Sequence, residues 1–188
     1  MLSESLCYAQ GRLSSKLAKI DLGSLGISEY QQRYLSSYFR NLDGILQVYG
    51  RILLLATEEI QYPLRDFVLV DYGGGSGLLS FLALEAGIGT VIYNDIYDVS
   101  CEDARKLGQA LHLPLSRIVC GDVDELVSYL RKEKINVNAI VSYYSVNYET
   151  YICDGVEYPQ IWANEVIIGP HIQPAGYFSN PAKLKNQP

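Results

Sequence analysis

The sequence predicts an α/β domain in which a doubly wound, mostly parallel sheet follows a helical region. Three observations predict it. From Pro63 onward, short apolar runs rich in β-branched residues alternate with helical stretches. A glycine-rich turn, residues 73–77, lies between the first of these runs and the first of these helices. The acids Asp71, Asp95 and Asp122 stand at or just beyond the ends of three successive runs.

The elements follow in order. Residues 1–62 read as helices that cap the remainder, and 63–188 as the sheet-containing core. Leu6, Ala9, Leu13, Leu17 and Ile20 recur at three- and four-residue steps, which predicts a first helix stopped by Gly23. Ser28 and Gln31 have capping-box spacing. Tyr30, Tyr34, Leu35, Tyr38 and Phe39 line one face of the second helix. A third runs over about 44–60, with Ile45, Tyr49, Ile52 and Leu53 inward. The predicted strands are 67–71, 90–95, 117–120 and 138–143, with helices over about 76–86, 100–112 and 123–133 between them. This rhythm gives parallel strands with helices on both faces, joined by right-handed crossovers. Ligands of such sheets bind beyond the carboxyl ends of the strands, near the reversal of strand order.

Composition narrows the function. Of 188 residues, 48% are hydrophobic and 19% charged, the balance of a globular protein. The longest aliphatic run, 52–56, is too short to span a bilayer, and the amino terminus lacks a signal-peptide layout, so a cytoplasmic location is expected. A formal net charge of −6 without a Lys/Arg cluster argues against a nucleic-acid partner. Cys7, Cys101, Cys120 and Cys153 lie far apart at neither metal-ligand nor redox spacing, and are expected to be reduced structural thiols. No His/Asp/Glu cluster suggests a metal. His112 reads as structural, and His171 as an exposed residue near a helix end.

The stretch from Asp71 to Ser80 carries the chemistry. Its glycines permit a sharp reversal, including positive φ, and close approach of a ligand to the backbone. The N–H groups opening the next helix then face that ligand. Asp95, about 20 residues beyond the turn, ends the second strand, where its carboxylate can accept bonds from both hydroxyls of a ribose. Such charge-assisted bonds contribute roughly 1.5–3 kcal/mol each. Asp98 is expected to cap the helix that follows. Asp122 can either reach an adenine amino group or cap the next helix.

These pieces, in this order, resemble class I (Rossmann-like) S-adenosylmethionine-dependent methyltransferases. Asp71-x-Gly73-x-Gly75-x-Gly77 is similar to the family's first motif, Asp95 falls at its ribose-binding acid, and Gly121-Asp122 at its adenine contact. Residues 168–178 resemble its helix, turn and fifth strand, with Ala175 in place of one glycine. The resemblance covers about 63–180. It implies strand order 3-2-1-4-5 and an S-adenosylmethionine site formed by Asp71, Gly73, Gly74, Gly75, Gly77, Asp95, Ile96, Asp122, Val123 and Ser142. Only the polar segment 179–188 follows, so strands 6 and 7 are expected to be missing. A second copy or a partner would then cover the sheet edge.

Charge points to the same cofactor. Asp71 repels a pyrophosphate and suits a ligand carrying an ammonium and a sulfonium. A dinucleotide pattern counted from Gly73 places Leu78 at its third glycine, and no Gly-Lys-Ser/Thr follows as a P-loop needs.

The acceptor side is less distinct. The segment 142–149 follows the fourth strand and lacks the Asp/Asn-Pro-Pro-Tyr motif of amine methyltransferases. Within it Ser142 and Asn147 are available hydrogen-bond acceptors and Glu149 an available base, while surface-loop and cap roles stay open for all three. Tyr143, Tyr144, Tyr148, Tyr151 and Tyr158 could wall a pocket or simply pack. The expected function is methyl transfer to a small molecule, a glycan or a protein. The alternatives are a non-catalytic or partner-dependent cofactor-binding subunit and an NAD(P)-dependent oxidoreductase.

Overall fold

The computed structural model describes residues 2–57 and 63–143, and, as backbone, 151–153, 156–158 and 166–168. The helices are α1 (Leu2–Leu17), α2 (Glu29–Phe39), α3 (Leu42–Thr57), α4 (Leu78–Glu85), α5 (Asp98–Ala110) and α6 (Val123–Lys132). The strands are β1 (Val68–Tyr72), β2 (Thr90–Asp95), β3 (Arg117–Cys120), β4 (Ala139–Ser142), β5 (Tyr151–Cys153), β6 (Val156–Tyr158) and β7 (Val166–Ile168).

The main sheet has the order β3-β2-β1-β4-β7. Its first four strands are parallel, with Asp71 opposite Tyr93, Tyr72 opposite Ser142 and Asp95 opposite Cys120. Two successive crossovers carry the chain outward from β1 to β3, and the next returns it past β1 to β4. The glycine turn after β1 therefore lies at the reversal of strand order. The chain has a Rossmann-like fold. The position beside β4, where a parallel fifth strand was expected, holds β7, which runs antiparallel to β4. Of the segment 168–178, to which the resemblance assigned a helix, a turn and the fifth strand, Ile168 ends β7, and the rest, His171 included, lies outside the described residues. β5 and β6 form a separate antiparallel pair.

The sheet is covered on both faces, which is why β1 and β2 read as nearly continuous apolar runs. One face packs Val70, Ile92, Val119 and Ile140 against Leu126 of α6. On the other, Leu69, Val91 and Val141 belong to a cluster that includes Phe81 and Leu82 of α4, Leu107 of α5 and the N-terminal helices. α1 buries Leu6, Ala9, Leu13 and Leu17, the positions its periodicity marked, and α3 buries Leu46, Tyr49 and Leu53. The two helices cross closely at Gly50, where a Cβ would come within 2.1 Å of Gln10 Nε2. That amide donates to the Leu46 carbonyl at 2.9 Å. Glu85 on α4 receives both Arg12 Nε and Lys16 Nζ of α1 at 2.6 Å.

Three local expectations change. α1 ends at Leu17, because Lys19 and Ile20 donate back to Lys16 and Leu17 in tighter i−3 bonds. Gly23 instead sits in a short 3-10 turn, Leu22–Leu25, capped by Asp21. At α2, Ser28 Oγ accepts from the Gln31 N–H, but the Ser28 N–H donates to Asp103 of α5. Only half of the capping box forms, and Asp103 ties the start of α2 to α5. Asp98 is the first helical residue of α5, with Tyr97 at the cap position.

Candidate nucleoside site at the carboxyl edge of the sheet

The carboxyl ends of β1, β2, β3 and β4 bring Asp71, Asp95, Cys120 and Ser142 to one edge. Asp71 is 3% exposed. Ser80 at the start of α4 donates to its Oδ2 twice, from Oγ at 2.7 Å and from N at 3.2 Å. Burial nevertheless dominates. It lifts the Asp71 pKa from 3.8 to about 6, with the Ser80 bonds pulling it down and the Asp95 charge adding to the rise.

The turn is built as a glycine loop must be. Gly73, Gly75 and Gly77 have φ of 67°, 51° and 77°, a region a side chain strains to enter. Gly74 is required for space, because a Cβ there would lie 2.6 Å from the Tyr93 ring and 3.0 Å from Asp71 Oδ2. Tyr93 is a strut beneath the loop. Its ring is fully buried, and its hydroxyl donates to the Gly75 carbonyl at 2.7 Å. Burial, reinforced by Asp95 and Asp71, raises its pKa and keeps the phenol neutral. The loop is also pinned to β2 by the Gly74 N–H on the Asn94 carbonyl at 2.9 Å.

Asp95 joins the loop to the second strand end. Its Oδ2 accepts the Gly75 N–H and its Oδ1 the Tyr97 N–H, each at 3.0 Å. Each carboxylate oxygen retains a second lone pair, so ligand hydroxyls can bind without displacing the backbone donors. Its carbonyl receives the Gly121 N–H at 2.9 Å. Asn94 Nδ2 donates to the Val119 and Gly121 carbonyls at 3.0 and 2.9 Å, holding the third strand end against the second. Beyond Asp95, Ile96 is 60% exposed, an apolar surface at the rim.

Of the sequence-marked residues, Asp71, Gly73, Gly74, Gly75, Gly77 and Asp95 thus share one hydrogen-bonded edge. Asp122 caps α6 in a full capping box, accepting from Asp124 and Glu125. Its pKa is lowered, first by hydrogen bonding with the Glu125 side chain and then by the Asp124 and Glu125 N–H groups. Val123 is half-buried at the start of that helix, and Ser142 is half-buried at the end of β4. Asn147 and Glu149 lie outside the described residues. Sequence reasoning did not single out Tyr93, Ser80 and Asn94. Ser80, nine residues past Asp71 on the opening turn of a helix, was the most readable of the three.

α2 and α3 bring tyrosines towards this edge. Tyr30, Tyr34 and Tyr38 pack in a row, with centroids 6.2 and 4.3 Å apart and the last two hydroxyls hydrogen-bonded. Tyr49 meets Tyr143, just past β4, edge to face at 5.4 Å. Its pKa is raised by burial, then by the neighbouring Tyr38, Tyr34 and Asp71. A cleft lined by Asp66, Thr90, Arg117 and Asn138 opens at the amino ends of the strands, away from the glycine turn.

The cysteine expectation is corrected. Cys101 and Cys120, which lie far apart in the sequence, are brought side by side as a potential disulfide pair, with Cα atoms 6.2 Å apart. Spacing of 19 concealed the pair, because the α5 crossover folds its first turn back against the strand beside β2. Among the described residues, no group of His, Cys, Asp and Glu gathers as a metal site would need, and no helix is long and apolar enough to cross a membrane.

No protein-family model matches the sequence, and no curated protein matches it. Solved structures to which the chain is similar include a ribosomal protein L11 methylase from Lactobacillus delbrueckii subsp. bulgaricus, at 19% identity and a TM-score of 0.35. That match covers 52% of this chain and 59% of the methylase. Another is a putative RNA methyltransferase from Pyrococcus horikoshii, at 16% identity and a TM-score of 0.42, covering 71% of each chain.

Proposed function

We propose that the chain is an S-adenosylmethionine-dependent methyltransferase. The observation that carries the reading is the clamp of Asp95 on the Gly75 N–H, which joins a positive-φ glycine turn to a strand-end acid at the sheet's reversal. The residues present fit such a cofactor. A Cβ at Gly75 would meet nothing within 4 Å, so the turn opens on free space there, and the buried Asp71 makes the potential behind the turn negative. That potential favours a ligand bearing an ammonium and a sulfonium and opposes a pyrophosphate.

In this reading Asp95 accepts from the ribose hydroxyls. Ile96 and Val123 border the adenine, with Gly121 and Asp122 at its polar edge. Gly73, Gly74, Gly75 and Gly77 line the methionyl part. The cofactor supplies a methyl group on a positively charged sulfur, ready for transfer to a nucleophile. The protein's contribution is orientation, which can supply up to roughly 7–11 kcal/mol. Ser142 and Asn147 are the candidate acceptors of hydrogen bonds from the methylated molecule, and Glu149 the candidate base. The acceptor is a small molecule, a glycan or a protein in a cytoplasmic setting.

A second reading, a partner-dependent cofactor-binding subunit, is favoured by the lack of a recognisable acceptor motif after β4. An NAD(P)-dependent oxidoreductase is disfavoured by Asp71 and by Leu78, which is fully buried where that pattern has a glycine. Calorimetric titration of the full chain with S-adenosylmethionine, S-adenosylhomocysteine and NAD tests the proposal. Micromolar binding of the first two alone supports it. Preferential NAD binding sinks it, and binding without transfer to any acceptor favours the second reading.

A further inference from the structure

We propose that Cys101 and Cys120 are a reversible redox couple that sets how tightly the adjoining edge holds its nucleoside. The inference rests on the cofactor reading above and adds regulation to it. The two sulfurs border the residues that would hold the adenosine. Cys120 is paired in the sheet with Asp95 and precedes Gly121, whose N–H donates to the Asp95 carbonyl. Cys101 lies on the first turns of α5, with its sulfur 3.6 Å from that same carbonyl. The bridge thus ties the loop after β2 to the loop after β3, the two sides of the proposed adenine cleft.

Both redox states suit the backbone. A Cα separation of 6.2 Å lies within the range a disulfide spans. In the dithiol state the Cys101 S–H has the Asp95 carbonyl as acceptor. The pair also has the asymmetry of an attacking and a resolving thiol, since Cys120 is exposed and Cys101 is 1% exposed. The matching oxidant is a low-molecular-weight disulfide such as oxidised glutathione. The Cys120 thiolate attacks one glutathione sulfur, forming a mixed disulfide and expelling a glutathione thiolate. The Cys101 thiolate then attacks Cys120 Sγ and expels the second. The protein loses two electrons and two protons, and one oxidised glutathione becomes two reduced molecules. With the bridge closed, the two loops are fixed before the ligand arrives, and less ordering is lost on binding. The oxidised form is therefore the tighter binder.

The test uses the full chain equilibrated with oxidised glutathione or with dithiothreitol, read by tryptic mass mapping and by titration with S-adenosylhomocysteine. The expected result is a linked pair of peptides, 66–105 and 118–131, present only under oxidation, with affinity falling about three- to tenfold on reduction. Cys120→Ser, at an exposed position, should bind with the reduced affinity under both conditions, and Cys101→Ala provides a second variant of the same kind. Absence of the linked peptides, equal affinity in both states, or a redox response that survives in both variants overturns the proposal. Absence of ligand binding in either state overturns the cofactor reading and the control of affinity together, while the linked peptides separately report whether the couple exists.

Discussion

Replacing Asp71 with Asn should change how stability depends on pH, in a direction the burial of that carboxyl dictates. In the folded protein its pKa is raised from 3.8 to about 6, chiefly by burial. A group that holds its proton more tightly when folded favours the folded state at low pH, and that advantage disappears as pH rises from the unfolded value through the folded one. At 1.36 kcal/mol per pH unit, the interval from 3.8 to about 6 amounts to roughly 3 kcal/mol of stability lost by the wild type between pH 4 and pH 7. The Asn variant has no such charge to bury. Whatever constant offset its amide introduces against Ser80, the gap between the two proteins should move by roughly 3 kcal/mol in the variant's favour across that interval. Carboxylates that do not interact with Asp71 cancel in the difference. Urea unfolding followed by circular dichroism at several pH values measures it. In thermal melts the same change is about 6–12 °C for a chain of this size. A gap that stays constant from pH 4 to pH 7 would refute the claim that Asp71 is buried with a raised pKa.

Other perturbations address separate links. Asp95→Ala removes the acceptor of the Gly75 and Tyr97 N–H groups and should weaken S-adenosylhomocysteine binding at least tenfold by calorimetry. Unchanged affinity would remove Asp95 from the site. Gly74→Ala forces a Cβ to within 2.6 Å of the Tyr93 ring and should destabilise the fold by about 1–3 kcal/mol in urea titrations, in contrast to a neutral surface substitution. Glu85→Gln should cost about 1 kcal/mol, less at high salt, because its partners Arg12 and Lys16 are partly exposed. Burial opposes ionisation of Glu85, but the Lys16 and Arg12 contacts prevail and lower its pKa. The stability they contribute is therefore present above the ordinary carboxyl value and lost as pH falls through the lowered one, and a salt-insensitive loss would speak against ion pairing.

Much of this architecture was legible because it is written in local pattern. Leu6, Ala9, Leu13 and Leu17 mark the buried stripe of α1, and the apolar runs of β1 and β2 mark strands covered on both faces. The glycine turn announced itself through residue type, since positive φ at Gly73, Gly75 and Gly77 is costly for any other residue. Asp95 was legible by its distance from that turn. What stayed hidden depends on contacts between distant residues. Asp103 completes the cap of Ser28 across 75 residues, and no periodicity signals it. Cys101 meets Cys120 only after the α5 crossover is folded. Tyr93 reads as an ordinary strand aromatic until the glycine loop is laid over it. Asp98 looked like a helix cap by residue type, yet Asp95 satisfies the Tyr97 N–H at that end, leaving Asp98 one position inside.

In the proposed function the glycine turn and Asp95 form one side of an adenosyl site. Amide chemical shifts of the isotopically labelled chain during titration with S-adenosylhomocysteine test it most directly. Saturable shifts should concentrate at Gly73, Gly74, Gly75, Gly77, Ile96, Tyr97, Gly121 and Val123. Shifts absent from the glycine turn, or confined to the opposite edge around Thr90 and Arg117, would contradict it.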